Sequence, residues 1–234
     1  LSNLWNLLYQ LPLIGGCLSK VISQNYKSDF RSEHGFVSGL AGPAEGQRFW
    51  QWWLGAGLID NGEYNIGSGV NKSRLDYIRK VLTRLTWKNE PFVSAYLGHT
   101  LVPDRLSEAF PEAAIIRLRR DPVDNALSIL KSMRKGTTNW FSVMPVECKK
   151  WESASEHERV AAQVYWLNRR LDDASSSSDY LEVHYESICQ NPTAELNRIH
   201  NFCLNKGVVV DKKLALPESF RYKHADIEAD ADAK

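Results

Sequence analysis

Arg120 and Ser128 have the residue types and the spacing of a phosphate-binding pair. Arg120 follows a short, mostly apolar run at 113–118 that has the length of a buried strand, and a helical period begins directly after it. This order places the arginine at the carboxyl end of a strand, where open parallel sheets bind ligands. Ser128 then lies about two turns into the helix, which rises 1.5 Å per residue. A planar guanidinium and a hydroxyl both suit phosphate oxygens.

The turn between this strand and helix is specified by the sequence Asp-Pro-Val-Asp at 121–124. Asp121 is typical of an N-cap, Pro122 of the first helical position, and Asp124 of the acidic third position. A capped helix beside a surface arginine is the plainer interpretation of the same residues. This stretch alone leaves that alternative open.

Helices and strands alternate along the rest of the chain. Apolar spacing predicts helices at 1–12, ending at Pro12, at 71–86, at 122–133, after Trp151 and beyond Pro192. A second strand is predicted at 181–186, where apolar and polar residues alternate. This alternation favours an α/β fold with a mainly parallel sheet.

Size and composition favour one soluble domain over residues 1–224, followed by an acidic tail at 225–234 that we expect to be disordered. The formal net charge of +1 gives no reason to expect nucleic acid or an anionic membrane as a partner. No stretch approaches the roughly 20 apolar residues that span a bilayer. Four widely spaced cysteines fit no zinc motif and are expected to be ordinary thiols, with one disulfide as the alternative.

Three segments in one order, between residues 101 and 202, resemble the PAPS-dependent sulfotransferase family, where PAPS is 3′-phosphoadenosine-5′-phosphosulfate. They are Ala-Phe-Pro-Glu-Ala at 109–113, Arg-Asp-Pro at 120–122 with Ser128 eight residues after the arginine, and Leu-Glu-Val-His-Tyr-Glu at 181–186 with Asn-Pro at 191–192. The resemblance implies a three-layer sandwich with a central, mainly parallel sheet, of the P-loop NTPase-like kind. It also implies transfer of a sulfuryl group from PAPS to a hydroxyl or amine, which releases PAP.

The resemblance assigns Arg120 and Ser128 to the 3′-phosphate of PAPS and places Tyr185 near the nucleotide. Arg221, in a late basic stretch, matches a loop that closes over this phosphate in part of the family. A packed core residue is the alternative for Tyr185, and a solvated basic turn is the alternative for Arg221. The acceptor stays open among small molecules, sugars, lipids and peptides.

Two residues are candidates for the base that accepts the proton of the acceptor. His99 precedes Arg120 by an interval similar to that of the catalytic histidine in one branch of the family. The family often has a lysine shortly before this histidine, but no lysine lies between Lys88 and His99. Glu45 corresponds to the glutamate that other branches place after the first helix. The alternative for His99 is a hydrogen-bonded structural histidine, and the alternative for Glu45 is an acidic residue of a loop. Sulfuryl transfer requires no metal.

The phosphosulfate loop of the family, Pro-x-x-Gly-Thr-Thr or a close variant, has no counterpart in the sequence. Residues 1–8 look like the helix that should follow it. We therefore expect either an active enzyme whose loop precedes Leu1 or a non-catalytic relative that binds PAP. The expected location is the cytoplasm, or the Golgi lumen if a membrane anchor precedes this chain. A P-loop kinase would need a Walker lysine and a magnesium-binding carboxylate, and neither motif is visible.

Overall fold

The structure is a computed structural model that describes residues 2–24, 26, 37–54, 56–58, 64–66, 72–86, 91–136, 139–175, 180–209 and 217–222. The chain divides into two compact units, Leu1–Val102 and Pro103–Lys234. The single domain expected over residues 1–224 stays a prediction, and the tail at 225–234 lies outside the described residues.

The described part of the first unit contains four α-helices, a short 3₁₀-helix and a small antiparallel strand pair. The α-helices are α1 Asn3–Leu7, α2 Pro12–Ser23, α3 Gln47–Leu54 and α4 Lys72–Leu85. Strands β1 Ala56–Leu58 and β2 Tyr64–Ile66 pair antiparallel, and the 3₁₀-helix is Leu97–Leu101. Fully buried Trp5 packs on Phe49 with ring centroids 4.5 Å apart, and the two rings form part of the core of this unit.

The single helix expected over residues 1–12 is wrong. α1 ends at Leu7, and Pro12 begins α2 rather than ending a helix. The physical reason is that proline has no backbone N–H to donate and a φ angle fixed near the helical value, so it suits the first helical position. The indole Nε1 of Trp5 donates to the Pro12 carbonyl at 3.0 Å and ties the two helices together.

The described part of the second unit contains five α-helices, a 3₁₀-helix and a parallel strand pair. These are α5 Pro103–Ala109, β3 Ile115–Arg119, α6 Pro122–Lys135, the 3₁₀-helix Val146–Trp151, α7 Glu156–Ser175, β4 Tyr180–His184, α8 Tyr185–Gln190 and α9 Pro192–Asn205. Helices with a small parallel sheet agree with the α/β prediction in its general form.

Strands β3 and β4 pair in register from Ile115 opposite Tyr180 to Arg119 opposite His184. Successive residues of a strand point to opposite faces, so one face of this pair carries the apolar residues and the other carries charges. On the charged face, buried Arg117 donates to Asp172 of α7 at 2.8 Å, and Arg119 donates to Glu182 at 3.1 Å. The Arg117–Asp172 pair attaches the end of α7 to the sheet, and the Arg119–Glu182 pair joins the two strands.

Helix α7 also fixes the loop that precedes it. Buried Gln163 donates through Nε2 to the carbonyls of Phe141 and Val143, at 2.7 and 2.5 Å. Below this loop Trp140, Met144, Cys148 and Ala162 form one buried apolar cluster, and Leu130, Met133 and Val160 form another between α6 and α7. The scaffold beneath α6 is therefore well packed.

All four cysteines are free thiols in the structure, as expected, and Cys148 and Cys189 are buried. Burial raises the pKa of the Cys148 thiol to about 12, so this thiol stays protonated and unreactive at neutral pH. Among the helices of the described residues, none combines the length and the apolar character needed to cross a bilayer.

Candidate functional site

Arg120 and Tyr185 are brought together by the register of the parallel strands. Arg119 and His184 are opposite each other at the ends of β3 and β4, so the next residue on each strand leaves the sheet at the same edge. There the guanidinium carbon of Arg120 lies 5.0 Å from the centroid of the Tyr185 ring. This distance is within the range of a cation–π contact, which holds the guanidinium at the strand tip.

The start of α6 is capped as the sequence predicts. The Asp121 carboxylate accepts from the backbone N–H groups of Val123 and Asp124, at 2.9 Å each. The backbone N–H of Asp121 donates to Glu186 at 2.9 Å, so an acid of α8 takes the place that an acid at the third helical position occupies in a capping box. The first turn of α6 is thus tied to α8.

Asp124 has a different partner from the rest of the first turn. Its buried carboxylate accepts a hydrogen bond from the hydroxyl of Tyr222, which also lies 3.5 Å from Glu186. This hydrogen bond, with burial and the charges of both acids, raises the pKa of Tyr222 to about 12. The Tyr222 hydroxyl therefore remains a donor throughout the physiological range.

The segment 217–222 packs along α8 and reaches the strand tip. The backbone N–H of Phe220 donates to the Cys189 carbonyl at 2.8 Å. Two residues later the Tyr222 ring lies 5.7 Å from the Tyr185 ring, centroid to centroid, at an interplanar angle of 41°. Arg120, Tyr185 and Tyr222 thus form a continuous row of contacts, which we call the strand-tip row.

An open depression of about 520 Å³ lies beside the strand-tip row. It is lined by Asp121, Val123, Asp124, Glu186, Gln190 and Tyr222. Three of these six side chains are carboxylates, so the depression disfavours a phosphate group and suits hydroxyl or amine donors. A phosphate held by Arg120 is therefore expected outside this depression.

Ser128 and Arg221 are the other two residues predicted to bind the nucleotide. Ser128 lies two turns into α6 and is half-buried, and its carbonyl accepts from the Ser132 hydroxyl at 2.9 Å. Arg221 is exposed and directly precedes Tyr222 in the segment that packs along α8. Both assignments stay predictions.

His99, in the first unit, is enclosed by aromatic rings. Its ring centroid lies 4.6 Å from that of Trp50 and 5.3 Å from that of Tyr96, both edge to face. Nε2 hydrogen bonds to the Ser94 hydroxyl at 2.9 Å, and Nδ1 is buried without a partner among the described residues. Burial lowers the pKa of His99 to about 4. The imidazole is therefore neutral at pH 7 and a weak base.

Glu45, in the same unit, is exposed, with a partly desolvated carboxylate. This desolvation raises its pKa, against a hydrogen bond from the backbone N–H of Leu97 that acts to lower it. Leu97 is the first residue of the 3₁₀-helix that carries His99. The two candidate bases are thus joined through one short helix, and Glu45 is the more accessible of them.

The aromatic residues near position 50 divide between core and surface. Phe49 and Trp50 are almost fully buried, whereas Trp52 is exposed and packs edge to face on Tyr9 at 5.5 Å. Trp140 belongs to the buried cluster below α7. Within the residues that the structure describes, no cluster of acidic, histidine or cysteine side chains is arranged to hold a metal ion.

The fold is mixed, with an arginine at the tip of a parallel strand and a capped helix directly after it, and this is the edge at which open parallel sheets bind ligands. Residues 70–205 match the family model described as the sulfotransferase family, which covers more than half of the chain. The chain therefore belongs to the sulfotransferase family. No curated protein and no solved structure matches it at a significant level.

The match includes His99, Arg120, Ser128 and Tyr185. Glu45, Arg221 and the Tyr222 segment lie outside the matched range. Sequence reasoning missed the parts that Tyr222 and Glu186 play around the strand tip. The one available signal was the neighbouring Arg221, since the contacts of both residues depend on chain segments distant in sequence.

Proposed function

We propose that this protein transfers a sulfuryl group from PAPS to an acceptor hydroxyl or amine and releases PAP. The observation that carries the proposal is Arg120 at the strand tip, 5.0 Å from the Tyr185 ring and within the range of the family match. The adenosine 3′-phosphate is the feature that separates this donor from ATP. Arg120 and Ser128 are the residues that we assign to it.

The surroundings of Arg120 support a phosphate that is bound outside the neighbouring depression. That depression, lined in part by the start of α6, is rich in carboxylates, which would repel a phosphate. The first-turn N–H groups of Val123 and Asp124 are already occupied by the Asp121 cap, so they leave the arginine as the main donor. A guanidinium has five N–H donors in a planar fork, a geometry that suits bidentate hydrogen bonds to phosphate oxygens.

The reaction that we propose is an in-line displacement at sulfur. The acceptor oxygen or nitrogen forms a bond to sulfur while the bond from sulfur to the 5′-phosphate oxygen breaks, and a base takes the acceptor proton. Glu45 and His99 are our candidates for the base. The exposed Glu45, with its raised pKa, is better suited to meet an acceptor than His99, which aromatic rings enclose. We also propose that the complete fold is a three-layer sandwich that includes a phosphosulfate loop.

Calorimetric titration of the intact chain with PAP, 5′-AMP and ATP tests the donor assignment. We expect PAP to bind far more tightly than 5′-AMP, which lacks the 3′-phosphate, and more tightly than ATP. The substitution Arg120→Ala should weaken PAP binding by about a hundredfold, since it removes a charged hydrogen-bonding partner. Arg169→Ala, at an exposed arginine of α7, is the matched control and should change nothing. Equal affinity for PAP and ATP would refute the assignment.

Sulfation itself is tested with PAPS labelled in its sulfuryl group and a panel of phenols, sugars, amines and tyrosine peptides. Labelled product together with released PAP supports the enzyme. Tight PAP binding without any labelled product would instead identify a non-catalytic member of the family.

A further inference from the structure

Tyr222 has three independent attachments to the strand tip. Its hydroxyl donates to Asp124, its ring packs on Tyr185, and the backbone two residues before it is bonded to α8. The three attachments involve a helix start, an aromatic ring and a backbone carbonyl.

The contacts of Tyr222 form a structural path to Arg120. The Tyr185 ring has the Arg120 guanidinium carbon at 5.0 Å and the Tyr222 ring at 5.7 Å. Tyr185 is half-buried and begins the short helix α8, so its ring depends on neighbouring side chains for its orientation. The Tyr222 ring is one of the contacts of the aromatic ring beside which the guanidinium lies. The positive charge of Arg120 also acts on the Tyr222 hydroxyl.

We propose that Tyr222 is a positioning residue for the nucleotide, which holds Tyr185 and through it the Arg120 guanidinium in the orientation that binds the 3′-phosphate. This inference rests on the proposed function, because it assigns Arg120 to that phosphate. It adds residues 217–222, which lie outside the family match, to the machinery of the site. Tyr222 itself contacts no reacting atom in this scheme.

The hydroxyl and the ring of Tyr222 have separable parts in the proposal. The hydroxyl anchors the residue to the start of α6 through Asp124, and the ring supports Tyr185. Tyr222→Phe removes the anchor and keeps the ring, whereas Tyr222→Leu removes both. The loss should therefore grow from the first variant to the second.

The experiment compares PAP with 5′-AMP by calorimetry in five proteins: wild type, Tyr222→Phe, Tyr222→Leu, Arg120→Ala and the double variant of Tyr222→Phe with Arg120→Ala. We expect Tyr222→Phe to weaken PAP binding by about tenfold, the loss typical of one hydrogen bond to a charged group, while 5′-AMP binding is unchanged. Because Tyr222 acts through Arg120, the substitution should add nothing in the Arg120→Ala background. Tyr165→Phe, at an exposed tyrosine of α7, is the matched control.

The outcomes separate this inference from the proposed function. A wild type that binds PAP no better than 5′-AMP ends the proposed function and this inference with it. A wild type that prefers PAP, with the same preference in Tyr222→Phe and Tyr222→Leu, overturns the inference alone. Equal losses for PAP and 5′-AMP, or additive losses with Arg120→Ala, also overturn it, because they indicate a general structural role. Thermal unfolding of each variant confirms that it is folded.

Discussion

Arg120 and Tyr185 are in contact because each is the first residue beyond a pair of strand ends that lie opposite each other, Arg119 and His184. Side chains alternate between the two faces of a strand, so a one-residue shift in pairing would exchange the faces and separate the arginine from the ring. The register of two five-residue strands therefore determines whether the strand tip can hold a guanidinium in place.

The first prediction concerns the contribution of the Ser128 hydroxyl to PAP binding. We expect Ser128→Ala to weaken PAP binding by about tenfold, because a hydrogen bond to a charged phosphate is lost. The matched control is Ser132→Ala, one turn further along α6, where the hydroxyl donates to the Ser128 carbonyl. Calorimetry with PAP measures both. Equal affinities in the two variants would remove Ser128 from the site.

The second prediction concerns which residue is the base that takes the acceptor proton. We expect Glu45→Gln to lower the sulfation rate at saturating substrates by at least about a hundredfold, since a general base contributes about that much or more. His99→Gln should have a smaller effect on the rate, because the ring is enclosed and weakly basic. PAP affinity should be unchanged in both variants. A larger rate loss in His99→Gln would reverse the assignment.

Gly46 gives a prediction about stability next to Glu45. Its φ of 71° is in the left-handed region, and a Cβ placed there would collide with the Trp5 ring. We expect Gly46→Ala to reduce the free energy of unfolding by about 2 to 4 kcal/mol, from backbone strain and overpacking together. Gly39→Ala, at φ 86° with open space around the new methyl group, should cost only about 1 kcal/mol. Urea unfolding compares them, and equal losses would mean that Trp5 is not the cause.

The desolvated imidazole of His99 predicts a pH dependence of stability. Its pKa is lowered to about 4 in the folded protein from an ordinary 6.5, so between these values the unfolded chain binds a proton that the folded chain does not. The contribution of neutral His99 to the free energy of unfolding is therefore complete above pH 6.5. It is lost as the pH falls towards 4, by at most about 1.4 kcal/mol per pH unit.

Urea unfolding at pH 7, 6 and 5 measures this effect as the difference between wild type and His99→Gln. The variant should lose stability less steeply than the wild type as the pH falls. His157→Gln, at an exposed histidine of α7, should keep the wild-type slope. Parallel slopes in all three proteins would show that His99 is not protected from protonation.

The parts of this structure that local signals specify were predictable from sequence. The Asp-Pro start of α6 and the Asn-Pro start of α9 both form as expected, because caps and first-turn prolines act within a few residues. Pro12 shows the limit of such signals, since a proline is compatible both with the end of one helix and with the start of the next. The choice depends on Trp5, whose indole is bonded to the Pro12 carbonyl.

Contacts between distant parts of the chain were not predictable in the same way. Arg117 falls in a strand that is apolar by composition, yet its side chain is buried because Asp172 and Glu182 approach from α7 and β4. The position of Tyr222 likewise depends on how residues 217–222 return to α8. Composition and periodicity contain no information about such pairings, which the tertiary structure alone decides.

The bond between Tyr222 and Asp124 joins residues 98 positions apart, and this separation has a kinetic consequence. Closing so long a loop costs conformational entropy before the contact stabilises anything, so we expect it to form after the transition state for folding. Tyr222→Phe should then accelerate unfolding and leave the refolding rate almost unchanged in stopped-flow experiments. On this view the orientation of Arg120 that binds the proposed ligand would be among the last features of the protein to form as it folds.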